Sequence, residues 1–271
     1  MKHCDLGAID GPIVLFGGPY SNLHALEALT ARARGWGLGP DQMICTGDVV
    51  AYGGSANGTV SRMMQSRIPT VAGNCEIQLA SGADECGCGF AAGSACDLLS
   101  AGWFAHASAQ VTTAQRGWMA ALPDIITFDH HGARYGVIHG GVTDVARFLW
   151  STSPDSDLLT EWNAAEDAVG PLAHIVCGHS GIAFVRDLNR GRWINAGVIG
   201  MPPHDGTQQT QFMWLEAGQL TLHRLRYDAQ AAARAMVDAG LIQGYHRALL
   251  SGYWPSEEVL PPALRAVSLS G

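Results

Sequence analysis

The sequence predicts an α+β fold in which two mixed β-sheets pack face to face with helices on their outer faces. Three observations carry this expectation. Short apolar runs ending in glycine or a polar residue alternate with helical stretches through the first half of the chain. Hairpin-like pairs of strands follow in the second half. The chain has the bulk to fill such a core, with 271 residues, 47% of them hydrophobic.

In chain order, "PIVLFGG" reads as a buried strand that passes through a Gly-rich turn into a helix at 22–34. Leu23, Leu26 and Leu29 mark one face of that helix, with Asn22 as N-cap and Gly35 as C-cap. "QMICTGD" is the next strand, "TVSRMMQSR" the next helix and "IPTVAGN" a further strand. The stretch 80–110 is at first small and Gly-rich and then helical, and reads as a cap inserted over one end of the sheet. Past a helix near "AQRGWMAAL", the segment "DIITFDHHGARYGVIHGG" turns at His131 and Gly132. "AFVRDLNRGRWINAG" turns at Asn189 to Gly191, and "QFMWLEAGQLTLHRLRY" around Gly218. Residues 228–271 become helical again and read as an extension packed on a main domain of residues 1–227.

A formal net charge of −8 argues against a nucleic-acid duplex or an anionic membrane as partner, because both are held by clustered Lys and Arg. No apolar run reaches the roughly 18 residues of a membrane span. The N-terminal "MKHCDLGAIDG" lacks the apolar core of a secretory signal, so the expected location is the cytoplasm. Seven cysteines, an odd number in a chain of ordinary domain size, predict reduced thiols and no disulfide framework. Homo-oligomerisation is left open.

Four polar tips stand at the ends of expected strands: Asp48 in "CTGDVV", Asn74 in "AGNCE", His139 in "VIHGG" and His179 in "VCGHSG". Strand ends of this kind are where ligand and metal sites assemble. Singly, each motif is a turn more often than a ligand. Together, in this order, they resemble the calcineurin-like metallophosphoesterase superfamily, in particular its small bacterial and archaeal phosphodiesterase branch. The likeness runs from residue 12 to about residue 227. "GGPYSNLHAL" stands where that family reads Asp-x-His, and "NAGVIGMPPHDG" where it reads Asn-Pro-Gly-Ser. The implied fold is a four-layer α/β/β/α sandwich.

The resemblance also implies a site. In the family two divalent ions share an aspartate, and a hydroxide attacks phosphorus in line while both ions absorb the developing charge. Asp48 is then the shared ligand, and Asp48, Asn74, His139 and His179 complete one site, a donor set suited to Mn, Fe or Zn. The private ligands of the other ion are replaced by Gly18, Tyr20 and Gly181, so the losses coincide on one ion and spare the other. The expectation is one tightly bound divalent transition metal per chain. The implied activity is a phosphoesterase acting on a small phosphodiester or nucleotide-like molecule. The alternative is a binding or sensor protein that has lost hydrolysis.

Around that site, Gly17 and Gly18 let backbone approach a ligand closely, and a helix start favours anions. Gly18, Tyr20 and Asn22 are therefore candidates to bind the substrate phosphate. Tyr20 then offers its hydroxyl to a phosphate oxygen or serves as an oxygen ligand; the bland alternative is a tight turn with Tyr20 on the surface. Cys75 stands where many relatives place a histidine that assists the leaving group, which makes it the catalytic candidate, with simple packing as the alternative. Cys86 and Cys88 in the expected cap can overhang the site and form a thiol cluster with Cys75, the basis of a third, redox reading. His204 is a candidate replacement imidazole, Tyr52 a brace for the Asp48 loop, and His130 and His131 are expected to be solvated in their turn.

Overall fold

The computed structural model describes residues 1–91 and 93–266. Its strands are β1 (His3–Ala8), β2 (Ile13–Phe16), β3 (Met43–Cys45), β4 (Ile125–His130) and β5 (Ala133–Val137), then β6 (His174–Cys177), β7 (Phe184–Leu188), β8 (Gly191–Asn195), β9 (Thr210–Glu216) and β10 (Gln219–Leu225). The helices are α1 (Leu23–Gly35), α2 (Ala56–Ser66), α3 (Asn74–Ser81), α4 (Ala95–Gln110), α5 (Thr113–Ala121), α6 (Asp155–Val169), α7 (Ala229–Asp238) and α8 (Tyr245–Ser251). One sheet has the order β10-β9-β2-β3 and the other β1-β4-β5-β6-β8-β7. Both mix parallel and antiparallel pairs.

The period-2 alternation of side chains explains the layering. On β2, Ile13 and Leu15 point into the core between the sheets, where they meet Phe128, Val137, Val176 and Met213. Val14 and Phe16 point the other way, into a core with Leu26 and Leu29 of α1, Val60 of α2 and Trp103 of α4. On β6, Ile175 and Cys177 face Leu158 and Trp162 of α6, while Val176 faces the other sheet. The result is the four-layer sandwich with two mixed sheets. Its layers are unequal: α6 covers one outer face, and residues of α1–α5, α7 and α8 share the core on the other.

The hairpins turn at 131–132, 189–190 and 217–218. Three local expectations are corrected. "IPTVAG" is not a strand; it touches β3 through one bridge, Cys45 to Thr70, and Asn74 opens α3 instead of ending a strand. His130 is buried at 4% exposure with Nδ1 against the Ile9 carbonyl, so only His131 is solvated. Cys86 and Cys88 are joined by a disulfide, whereas reduced thiols were expected throughout. Among the described residues, no helix is long and apolar enough to cross a membrane.

Candidate metal centre

The loop after β3 carries Asp48, the start of α3 carries Asn74, and the loops after β5 and β6 carry His139 and His179. Because β5 and β6 are parallel neighbours, their following loops emerge on one edge, and the Gly178 N–H donates to the His139 carbonyl at 2.7 Å. Asp48 and His179 both adopt left-handed backbone, with φ of 53° and 59°. Such conformations are uncommon outside glycine and collect at functional sites. Gly47 has φ 92°, and a Cβ there would lie 2.8 Å from His139 Nδ1, so only glycine fits between the Asp48 turn and the imidazole.

The hydrogen bonds fix which atoms face the centre. His139 Nδ1 lies 2.6 Å from the Thr46 carbonyl, which can only accept, so the proton sits on Nδ1 and the Nε2 lone pair is free. The Asn74 Nδ2 donates to the Cys86 carbonyl at 3.0 Å, which turns Oδ1 toward the centre. His139 Nε2 then faces Asn74 Oδ1 at 3.1 Å, Asp48 Oδ2 at 3.3 Å and His179 Nδ1 at 3.1 Å. The coordinating atoms of Asp48, His139 and His179 all lie within 4.8 Å of one another, and the three residues are buried. Asp48 Oδ1 is also buried without a hydrogen-bond partner.

His139 Nε2, Asn74 Oδ1 and Asp48 Oδ2 face one another as acceptors, and His179 Nδ1 joins them in the tautomer that carries its proton on Nε2, a set that suits a cation. Burial alone raises a carboxyl pKa, yet His139 and then His179 hold Asp48 below its ordinary value. Burial and the neighbouring His139 push His179 down to about 3, so its imidazole is neutral, the state in which it ligates a metal. Burial opposes protonation of His139, but the Asp48 carboxylate outweighs it and raises the His139 pKa. The charge that a proton supplies there is one that a divalent cation supplies better. The residues therefore fit a metal ion.

Glu76 is the supporting residue that the sequence left without a role. Its carboxylate accepts the N–H groups of Asp48 at 2.8 Å, Gly73 at 3.1 Å and Val50 at 3.1 Å, tying the Asp48 loop to the first turn of α3. Burial, and then the Asp48 charge, push it up to about 7. Its signal was the acid immediately after "GNC". Asn195 does similar work at the other loop, donating from Nδ2 to the Gly178 carbonyl and the Ser180 hydroxyl.

The "GGPYSN" turn differs from the expected anion cradle. Its N–H groups are already engaged: Gly18 donates to the Gly47 carbonyl, Tyr20 to Asp48, Ser21 to Val49 and Asn22 to Pro19. The Asn22 side chain caps α1 through the Ala25 N–H and donates to the Gly200 carbonyl, so both its oxygen and its nitrogen hold structural partners. Tyr20 is 5% exposed, not a surface residue. A Cβ added at Gly18 would lie 2.6 Å from its Cε1, and one added at Gly181 would lie 3.8 Å from its hydroxyl. Residues 18, 20 and 181 do meet, and the phenol ring fills the space between the two glycines.

The remaining candidates have structural surroundings. Cys75 Sγ lies 3.4 Å from Asn74 Nδ2, and burial, followed by the charges of Asp48 and Glu76, pushes its thiol well up, so the protein alone supplies no thiolate. Cys88 Sγ also lies 3.4 Å from Asn74 Nδ2, so the pair Cys86–Cys88 does overhang the site, but as a disulfide and not as free thiols. His204 is no substitute ligand: its Nδ1 accepts the Trp254 N–H and its Nε2 donates to Glu257 at 2.6 Å. Tyr52 packs edge-on against Tyr20, with ring centroids 4.9 Å apart.

Comparison with known proteins bears on the fold and the family. Among solved structures the chain is similar to a metallophosphoesterase from Sphaerobacter thermophilus, at 19% identity and a TM-score of 0.68 over 90% of this chain and 100% of that one. It is similar also to a hypothetical protein from Pyrococcus horikoshii, at 13% identity and a TM-score of 0.70 over 89% of this chain and 98% of the other. At such identities the likeness shows the fold alone. A comparison with curated proteins finds no match. A family profile described as the calcineurin-like phosphoesterase superfamily domain matches residues 19–219, more than half of the chain, and the chain belongs to that superfamily.

Proposed function

We propose that the protein is a phosphoesterase that works with one divalent transition metal, Mn, Fe or Zn, and hydrolyses a small phosphodiester or nucleotide-like substrate. Asp48, Asn74, His139 and His179 hold the ion. The observation that carries this reading is the convergence of Asp48 Oδ2, Asn74 Oδ1 and His179 Nδ1 on the bare Nε2 of His139. A divalent cation held by these residues would supply Lewis-acid stabilisation of the phosphoryl charge. The chain's own groups prepare the site for it. Thr46 fixes the tautomer of His139. Glu76 and Asn195 hold the Asp48 and His179 loops, so the ligands are positioned before anything binds. Tyr20 keeps its proton, since burial and then the nearby Asp48 raise it well above the ordinary tyrosine value, and its hydroxyl is a neutral donor. Cys75 is adjacent to Asn74 and contributes to packing more than to proton transfer.

A second reading, a binding protein without hydrolysis, draws on one observation: Tyr20 fills the space between the two glycines that replace family metal ligands. The two readings separate in one experiment. Protein purified without added metal is analysed for metal content and assayed on a chromogenic phosphodiester with and without Mn, beside Asp48→Asn. About one ion per chain with activity lost in Asp48→Asn supports the enzyme. One ion with no activity on any phosphoester tested supports the binding protein. We further propose that residues from 228 onward act as an appendage to the 1–227 domain, that the location is cytoplasmic and that the partner is a small phosphorylated molecule.

A further inference from the structure

Beside the metal centre lies a cleft lined by Tyr20, Tyr52, Phe90, Phe148, Tyr245 and Trp254, together with the ligand His179. Its water-accessible interior is about 40 Å³, and the space between its walls with the open solvent at its mouth is about 460 Å³. Two runs of ring contacts lead along it toward the centre. Tyr245 packs on Tyr52 at 4.4 Å between centroids, and Tyr52 on Tyr20 at 4.9 Å. Phe90 stacks with Phe148 at 6.0 Å, and Phe148 lies 4.3 Å from the ring of His179. Among the described residues that line the cleft there is no Lys, Arg, Asp or Glu.

Apart from the hydroxyls of Tyr20, Tyr52 and Tyr245, the polar groups beside the rings are engaged. The Trp254 indole N–H is committed to the Pro202 carbonyl, and Ser180 Oγ donates to the Leu149 carbonyl while accepting from Asn195. All three tyrosines are held neutral, burial raising each of them. A charged arm, such as a second phosphate, would lose its water here and find no counter-charge. A flat apolar ring loses little water, and it gains edge and face contacts with the surrounding aromatics.

We propose that this cleft is the subsite for an uncharged aromatic ring, an aryl or heteroaryl group esterified to the phosphate that the metal centre holds. The inference rests on the phosphoester reading and narrows it: the substrate joins one phosphoryl charge to a planar ring, and a polyphosphate chain does not enter the cleft.

Phosphonates test this without turnover. Phenylphosphonate and methylphosphonate carry the same anionic head and differ only in the ring. Titrated calorimetrically into the Mn-loaded protein, phenylphosphonate is expected to bind at least tenfold more tightly. Phe90→Ala, on a partly exposed loop, and Tyr245→Leu, which keeps apolar bulk in α8, are each expected to reduce that preference at least threefold while leaving methylphosphonate affinity unchanged. Equal binding of the two phosphonates overturns the aromatic subsite and leaves the phosphoester reading standing. A preference that survives unchanged in both variants overturns the assignment to this cleft. Binding of neither phosphonate overturns the phosphoester reading, and this inference with it.

Discussion

Under the proposed function, Tyr20 is the residue that limits the site to one ion. Gly18 has φ 33° and faces the phenol, so Gly18→Asp alone forces a side chain into strained backbone and into the Tyr20 ring. Overpacking of this kind costs about 1–3 kcal/mol. The triple change Gly18→Asp, Tyr20→His and Gly181→His removes the ring and restores the family pattern. Metal content by elemental analysis is then expected to rise from about one toward about two ions per chain, as a binuclear clamp requires. A single Gly18→Asp variant as stable as the parent would show that the ring does not fill this space. His139 makes a second residue-scale prediction. Its pKa in the metal-free protein is raised above 6.5, so a proton competes with the metal for Nε2 in that range. Metal affinity should fall about tenfold per pH unit below the raised value. Affinity that is flat across this range, measured by competition with a chelator of known pH dependence, would mean that His139 is not a ligand.

At the scale of elements, α6 does more than cover one sheet. Its Glu161 is fully buried and accepts the N–H groups of Val142 and Thr143, the Thr143 hydroxyl and the Arg147 guanidinium. It therefore shapes the loop that follows His139. Burial works against its charge, but the hydrogen bonds from Thr143 and then from Arg147 outweigh it and hold the carboxyl below 4.5. A carboxyl depressed in the folded state contributes stability above its unfolded pKa and loses it as pH falls through the folded value. Stability from this group should thus be full at neutral pH and decline below about pH 4.5. Glu161→Gln should cost about 2 kcal/mol at pH 7, measured by urea unfolding, and should flatten the acid limb of the stability profile. Elements of this kind divide by what the sequence can express. The hairpins and the runs ending at Asp48, His139 and His179 are marked by local alternation and turn residues. β1 is not: "HCDLGA" is an exposed edge strand that forms because β4 is beside it. "IPTVAG" has a strand composition but pairs through a single bridge. His130 looked like a turn residue because its partner, the Ile9 carbonyl, is 121 positions away.

For the whole molecule, the same distinction separates the metal centre from the aromatic cleft. The candidate ligands were legible because each stands in a short motif, three of them just after a strand and Asn74 at the start of α3. The cleft was not, because its rings come from the loops after β2 and β3, the 80–110 stretch, the loop after His139 and the C-terminal residues, none adjacent in sequence. α7 packs on α1 and α8 on α7, and the chain then brings Trp254 within 3.5 Å of the Cβ position of Gly181. Three buried apolar cores hold this arrangement together, and none of them includes Asp48, Asn74, His139 or His179. A chain of this size draws most of its stability from such burial. Chelation should therefore remove the ion and leave the protein folded, with unchanged far-ultraviolet circular dichroism. The melting temperature should drop only by what ligand linkage requires, about 2.7 kcal/mol of lost stabilisation if the ion was present at a hundred times its Kd. His139→Ala and His179→Ala should match the chelated protein in both respects and bind no metal tightly. Loss of cooperative unfolding on mild chelation would mean instead that the ion holds the strand-end loops together, a structural metal and not a catalytic one.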